Sequence, residues 1–250
     1  IGAAKLFIPD RRQKGVLVQA VFRSNQAILG MPLTQSLGGE AAVAVTSVVT
    51  SLGIPLYNIS AVIVLETYCQ RDGKKTNLRS IGKAIATNPL IIGVFTGLFC
   101  VLIRRFIPQA GGVPVFTLQY QLPSLYKVIS TLSAVASPMM LICLGAQLDF
   151  RLTGKLLPQI GLGVFLRLIF MPVLGIGFAL LLKDFLVLTP LEIPMMLSFF
   201  ASPVAVSSVL LVQELGGDEQ YASQLVIWSS AVSMLTLFIL VAGLRAIGML

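Results

Sequence analysis

The sequence predicts an all-α membrane protein built from two related halves of opposite orientation, and three observations carry that prediction. The first is composition. The chain of 250 residues is 56% hydrophobic and 11% charged, with a mean hydropathy of +0.91, whereas a soluble domain carries roughly 25% charged residues. The second is that apolar runs of about 20 residues recur along the whole chain, each long enough to cross a hydrocarbon core of about 30 Å. The third is internal similarity at a separation of 178 residues. Of the 30 positions starting at Phe22, 11 are identical to their counterparts, among them Phe22 with Phe200, Ser24 with Ser202, Gln35 with Gln213, and Leu37-Gly38-Gly39 with Leu215-Gly216-Gly217.

Composition also narrows the function classes. The net charge of +8 and pI near 9.7 would suggest nucleic acid in a soluble protein. Here the basic residues sit in short loops between apolar runs, the pattern of the positive-inside rule, so the bilayer is the expected partner and nucleic acid is not. The chain has no histidine, which removes His-based triads, metal sites and proton relays from these residues. Cys69, Cys100 and Cys143 are far apart, without metal-ligand or redox spacing, and read as apolar filler. No catalytic residue, metal or cofactor is expected, and the chain reads as something other than an enzyme.

Taken in order, IGAAKLF aligns with the end of a later helix, placing Lys5 on Lys183 and Phe7 on Phe185. It therefore reads as the tail of a helix. Seven complete spans follow, at 16–39, 41–65, 84–103, 124–148, 155–182, 188–214 and 221–248. By symmetry with the second half, the first two to three helices are expected ahead of Ile1, giving a parent of ten helices in two repeats of five. The expected organisation is 1–65 as the remainder of the first repeat (tail of helix 3, helices 4 and 5), 66–83 as a loop, and 84–250 as the second repeat (helices 6–10). Five is odd, so the repeats must lie inverted in the membrane, an arrangement common among secondary transporters. If the spans alternate, Arg11, Arg12, Lys14, Arg71, Lys74, Lys75, Arg79, Lys83, Arg151 and Lys155 share one side, against Arg104, Arg105, Lys127, Lys183 and Arg245 on the other. That bias places the 66–83 loop in the cytoplasm and the protein, multi-pass, in the cell membrane.

Two spans are interrupted. In FRSNQAILGMPL, Pro32 lacks an N–H and clashes with the carbonyl four residues back, predicting a break near Ile28, and Gly30 loosens the backbone further. In SFFASPVAVSS the break falls at Pro203. Broken backbone survives at membrane depth where protein or a wet cavity covers it, and paired interruptions at equivalent repeat positions point to a transporter binding site. Each exposed half-helix N-terminus offers free N–H groups and partial positive charge, which suits an anion. Asn25 adds an amide; Ser24, Ser202, Ser207 and Ser208 add hydroxyls. Arg23 adds a full charge. Arg167 lies about 18 Å along its helix from Lys155, near mid-membrane, where an arginine needs a partner. Pro89 reads as a helix start, Pro138 and Pro172 as kinks, and the Gly-Gly pairs as helix caps.

With FRSNQAILGMPL, NPLIIGVFTGL, SPMMLICLGAQL and SPVAVSSVLLVQELGGDEQYASQLVIWSS taken together, the chain resembles the auxin efflux carrier family, including its bacterial malonate-permease-like members, over nearly its whole length. The family is similar in fold to bile-acid symporters, with two inverted five-helix repeats and crossing broken helices as fourth and ninth. The resemblance implies that Asn25 and Pro32 belong to the first crossover and Pro203 to the second. It further implies a mobile transport part moving against a scaffold, homodimers, and small organic anions as substrates: auxin in plants, malonate or malate in bacteria. Plant members carry a proline before the crossover asparagine, where this chain has Ser24, and many have a far larger loop at 66–83. Both features favour the bacterial branch. The expectation is a secondary carrier for a small carboxylate working by alternating access, with coupling to H+ or Na+ left open. The alternatives are a sodium-coupled organic-anion symporter of the bile-acid type and a membrane receptor without transport.

Overall fold

The computed structural model describes residues 1–69, 78–87, 89–104, 106–107, 109–110, 113–114, 116–146, 148–181 and 191–250. A short helix α1 (Gly2–Phe7) leads to α2 (Arg11–Phe22), which starts where the Asp10 carboxylate accepts from the Arg12 N–H at 2.8 Å, an N-cap of the usual kind. The chain then runs extended and re-enters helix through a π turn at Gln26–Gly30 and α3 (Met31–Cys69). Helices α4 (Leu78–Thr87) and α5 (Pro89–Arg104) follow, meeting at a bend of 62°. Next come a two-residue antiparallel pair, Gln109–Ala110 with Val113–Pro114, and helices α6 (Leu118–Gln121) and α7 (Pro123–Ala146). Helix α8 (Phe150–Phe165) continues through a π turn at Leu166–Phe170 into α9 (Met171–Leu181). Helix α10 (Glu192–Met196) and a π turn at Leu197–Ala201 precede a second extended segment, then α11 (Ser207–Glu214) and α12 (Glu219–Ala246).

Gln26–Cys69, Thr153–Leu181 and Glu219–Ala246 are each long and apolar enough to cross a membrane, and the bent α4–α5 pair makes a fourth if counted as one span. Residues 66–69 and 78–83 of the expected 66–83 loop are helical. Its centre, with Arg71, Lys74 and Lys75, lies outside the described residues, as do Arg105, Lys183 and the 182–190 connection.

The first interruption is not where Pro32 predicts it. Pro32 is the second residue of α3 and lies within helix; the extended break falls earlier, at Arg23-Ser24-Asn25. Three prolines share a local habit that explains the shift. The π turns end at Gly30, Phe170 and Ala201, each two residues before Pro32, Pro172 or Pro203. A proline ring clashes with the carbonyl four residues back; a widened turn moves that carbonyl aside, with Met31 N–H reaching Gln26 O and Met171 N–H reaching Leu166 O. The helix thus absorbs Pro32 and Pro172 by a bulge and stays continuous.

Gly39, with φ of 62°, turns the chain inside α3, and Gly216, with φ of 72°, ends α11. In the second case the Gly217 N–H bonds Val212 O at 2.8 Å and the Gly216 N–H bonds Gln213 O at 3.4 Å, the paired bonds of a Schellman cap. One glycine of each predicted Gly-Gly pair therefore takes the left-handed conformation.

The ends of the bundle are set by long-range contacts. Arg11 donates to Thr67 O at 2.9 Å, Arg12 to Gly216 O at 2.8 Å, and Gln13 to Asp218 at 2.8 Å. This end therefore gathers the start of α2, the end of α3 and the α11–α12 turn. At the opposite end Gly38 packs against Pro194. Two apolar clusters fill these ends: one holds Val16, Leu17, Leu65, Leu211, Tyr221 and Leu225, the other Ile176, Ile193, Leu197 and Leu244. The interrupted helices run between them in opposite directions.

Candidate functional site

The two extended breaks meet. Ser24 and Val204 form an isolated antiparallel bridge, in which the Asn25 N–H donates to Pro203 O at 2.9 Å and the Ala205 N–H donates to Arg23 O at 3.0 Å. The Val204 N–H is taken by the Ser229 hydroxyl at 3.2 Å. Backbone groups freed from helix are thereby satisfied by each other, as a buried break requires. The bonded pairs are Asn25 with Pro203 and Ala205 with Arg23, and the bridge at their centre sets Ser24 against Val204, two residues more than the 178 of the sequence repeat. The π turn in the first half follows the break, whereas that in the second precedes it, so the registers differ on the two sides of the crossing.

Close approach at the crossing depends on Gly30. A Cβ there would overlap the Ser198 side chain and lie 3.1 Å from Ser198 O. Ser24 Oγ donates to that same carbonyl at 3.0 Å. Gly30→Ala is expected to push the segments apart and destabilise the protein by about 1–3 kcal/mol, the usual cost of overpacking. A melting temperature equal to the wild type would contradict this role. Gly30 is thus a packing residue.

Arg167 is 1% exposed, and its guanidinium ties the two breaks together. Nη1 donates to Val21 O, Nε to Ser202 O and Nη2 to Phe199 O, each at 2.8 Å. These carbonyls lie where α2 and the α10 segment end, so two negative helix ends converge on one cation. Arg167, expected as a substrate ligand, has these donors on main chain and does not line the cavity described next. Ser202 supplies its carbonyl to Arg167, and Pro203 its carbonyl to Asn25. Ser208 is buried with no partner for its hydroxyl among the described residues. None of these three, nor Gly30 or Pro32, lines the cavity.

A cavity of about 220 Å³ lies beside the crossing, with polar walls from Arg23, Ser24, Asn25, Gln26, Tyr57, Asn58 and Ser207, and apolar ones from Ala27, Ile28, Ile54, Val94 and Ala205. Four predicted site residues therefore come together: Arg23, Ser24, Asn25 and Ser207. Arg23 Nη2 donates to Asn58 Oδ1 at 2.8 Å and to Ser207 Oγ at 2.9 Å, linking the first break to α3 and α11. Arg23 Nη1, Asn25 Nδ2 and both amide atoms of Gln26 are buried with no partner among the described residues. Tyr57 sits between Phe22 and Phe199, with ring centroids 6.2 and 6.5 Å away.

Sequence reasoning missed Gln26, Tyr57 and Asn58. For Asn58 the signal was present, since a side-chain amide within an apolar run needs a hydrogen-bond partner when buried. A larger, open depression of about 790 Å³, lined by Asp149, Arg151, Glu219 and Gln224 among others, lies near the starts of α8 and α12. It is not walled by the interrupted helices.

Among known proteins, a family model described as membrane transport protein matches residues 1–241. No curated protein and no solved structure matches the chain. The family match covers nearly all the residues that build the spans and the crossing, and it agrees with the resemblance carried by the two interrupted motifs: the chain belongs to the membrane transport protein family, that of the auxin efflux carriers, and is a multi-pass membrane transport protein.

Proposed function

We propose that this protein is a secondary carrier for a small organic anion such as malonate or another carboxylate. In this reading it works by alternating access about two inverted five-helix repeats, with residues 1–65 in the first, 84–250 in the second and the intervening loop in the cytoplasm. The antiparallel course of the interrupted helices supports the inverted arrangement, and their meeting beside a cavity supports the site. The observation that carries the substrate class is the set of unpaired donors in the cavity wall. Leaving a buried donor unpaired costs about 1–3 kcal/mol, and native proteins keep few such groups without a function. Arg23 Nη1 and Asn25 Nδ2 would serve as donors to a carboxylate, and the first-turn amides at 26–28 add the positive end of a half-helix. The volume also argues for a small solute, since pockets for drug-sized ligands run to about 300–1,000 Å³.

The sodium-coupled alternative has a structural argument against it. In carriers of this kind, unwound carbonyls and half-helix C-termini coordinate the coupling cation. Here the carbonyls of Val21, Phe199 and Ser202 already surround the Arg167 guanidinium, a tethered cation in that role. Proteoliposome uptake across a panel of mono- and dicarboxylates tests both points. Uptake of at least one small carboxylate is expected, at rates unchanged within about twofold when sodium replaces potassium. Accumulation of none would favour the non-transporting receptor, and sodium-dependent uptake would restore the symporter.

A further inference from the structure

The charged side chains buried among the described residues are Arg23 and Arg167, and their electrostatic situations differ. Arg167 faces three carbonyls at negative helix ends. Arg23 faces neutral groups: Asn58 Oδ1 and Ser207 Oγ accept from one of its nitrogens, and the other has no partner among the described residues. The elements packed around it contribute Tyr57 and Asn58 from α3, Val94 from α5, and Ala205 and Ser207 from the second crossover to the cavity wall. None of the described residues lining the cavity is acidic. Arginine remains a cation at every physiological pH, so the empty site carries a positive charge with no carboxylate beside it among the described residues.

From this we infer that the protein is an anion exchanger, in which the loaded site crosses readily and the empty site returns slowly. The inference rests on the carboxylate reading above. Alternating access passes through a state in which the cavity is closed to both aqueous phases. Arg23 is already 4% exposed, occlusion removes what solvent remains around it, and an unpaired charge in a low-dielectric surrounding is disfavoured. A bound carboxylate removes that penalty by pairing with the guanidinium. The half-helix N-termini at the same cavity add further positive potential and make the empty closed state still less favourable. An anion waiting on the far side therefore speeds turnover, because it allows the return stroke to proceed loaded.

The test uses the full-length protein in proteoliposomes loaded with radiolabelled malonate and diluted into medium containing either unlabelled malonate or an impermeant sulfonated polymer. Efflux is expected to be at least tenfold faster into malonate. Asn58→Asp places a carboxylate where Asn58 now accepts from Arg23, and so supplies the missing countercharge. Arg23→Gln removes the charge itself. In both variants the ratio of the two efflux rates is expected to fall toward one, and in Asn58→Asp by faster exit into the polymer medium. Equal wild-type efflux into the two media overturns the exchange inference while leaving carboxylate transport standing. A wild-type ratio retained by Asn58→Asp in protein of normal elution volume overturns the role of Arg23. Retention of label in both media, with acetate as with malonate, overturns the carboxylate reading and the exchanger with it.

Discussion

Replacing Arg167 with methionine is expected to prevent formation of a stable folded protein while leaving membrane targeting intact. Three carbonyls on two different segments would lose a charged donor at 2.8 Å. Hydrogen bonds to charged groups contribute about 1.5–3 kcal/mol each. Their joint loss is comparable to the roughly 5–15 kcal/mol that holds a typical domain together. Lysine is expected to rescue only part of this, because one ammonium lacks the planar fork that serves three carbonyls at once. Thermal melting followed by size-exclusion elution checks the prediction. An Arg167→Met protein that elutes and melts like the wild type would show that the crossing does not need this cation.

The second large effect falls on transport and spares the fold. Asn25→Ala removes a side-chain amide whose nitrogen has no partner among the described residues, while the backbone bonds of residue 25 to Pro203 and from Leu29 remain available. Folding and insertion are therefore expected to be unchanged. Loss of one hydrogen bond to a charged ligand costs about 1.5–3 kcal/mol, so carboxylate uptake at sub-saturating concentration is expected to fall roughly tenfold to hundredfold. Uptake at the wild-type rate would remove Asn25 from the site. Together the two substitutions separate the residue that builds the crossing from one that uses it.

Arg23 and Arg167 show why such a distinction is hard to read from the chain. Both are arginines within apolar runs, and either would need a partner there. In the structure Arg167 reaches Val21 across 146 positions of sequence and becomes part of the scaffold. Arg23 meets Asn58 and Ser207 and stays electrically open. Pro32 makes a similar point. Its effect on the helix was legible, but the response is a π turn at Gln26–Gly30 that keeps the helix intact. The true break lies at Ser24, where pairing with Val204 offers the backbone another set of bonds.

The sequence by itself determined the membrane class, the Pro203 interruption, the repeat and the place in the chain of Asn25, Arg23 and Ser207. Hydropathy, proline sterics and glycine freedom act within one or two helical turns, so they are written locally. The tertiary structure alone decided where the first helix opens, which arginine is held by helix-end carbonyls and that Asn58 belongs beside the crossing. Those outcomes depend on how carbonyls and donors from distant segments satisfy one another where water is excluded, and no single stretch of sequence contains both partners.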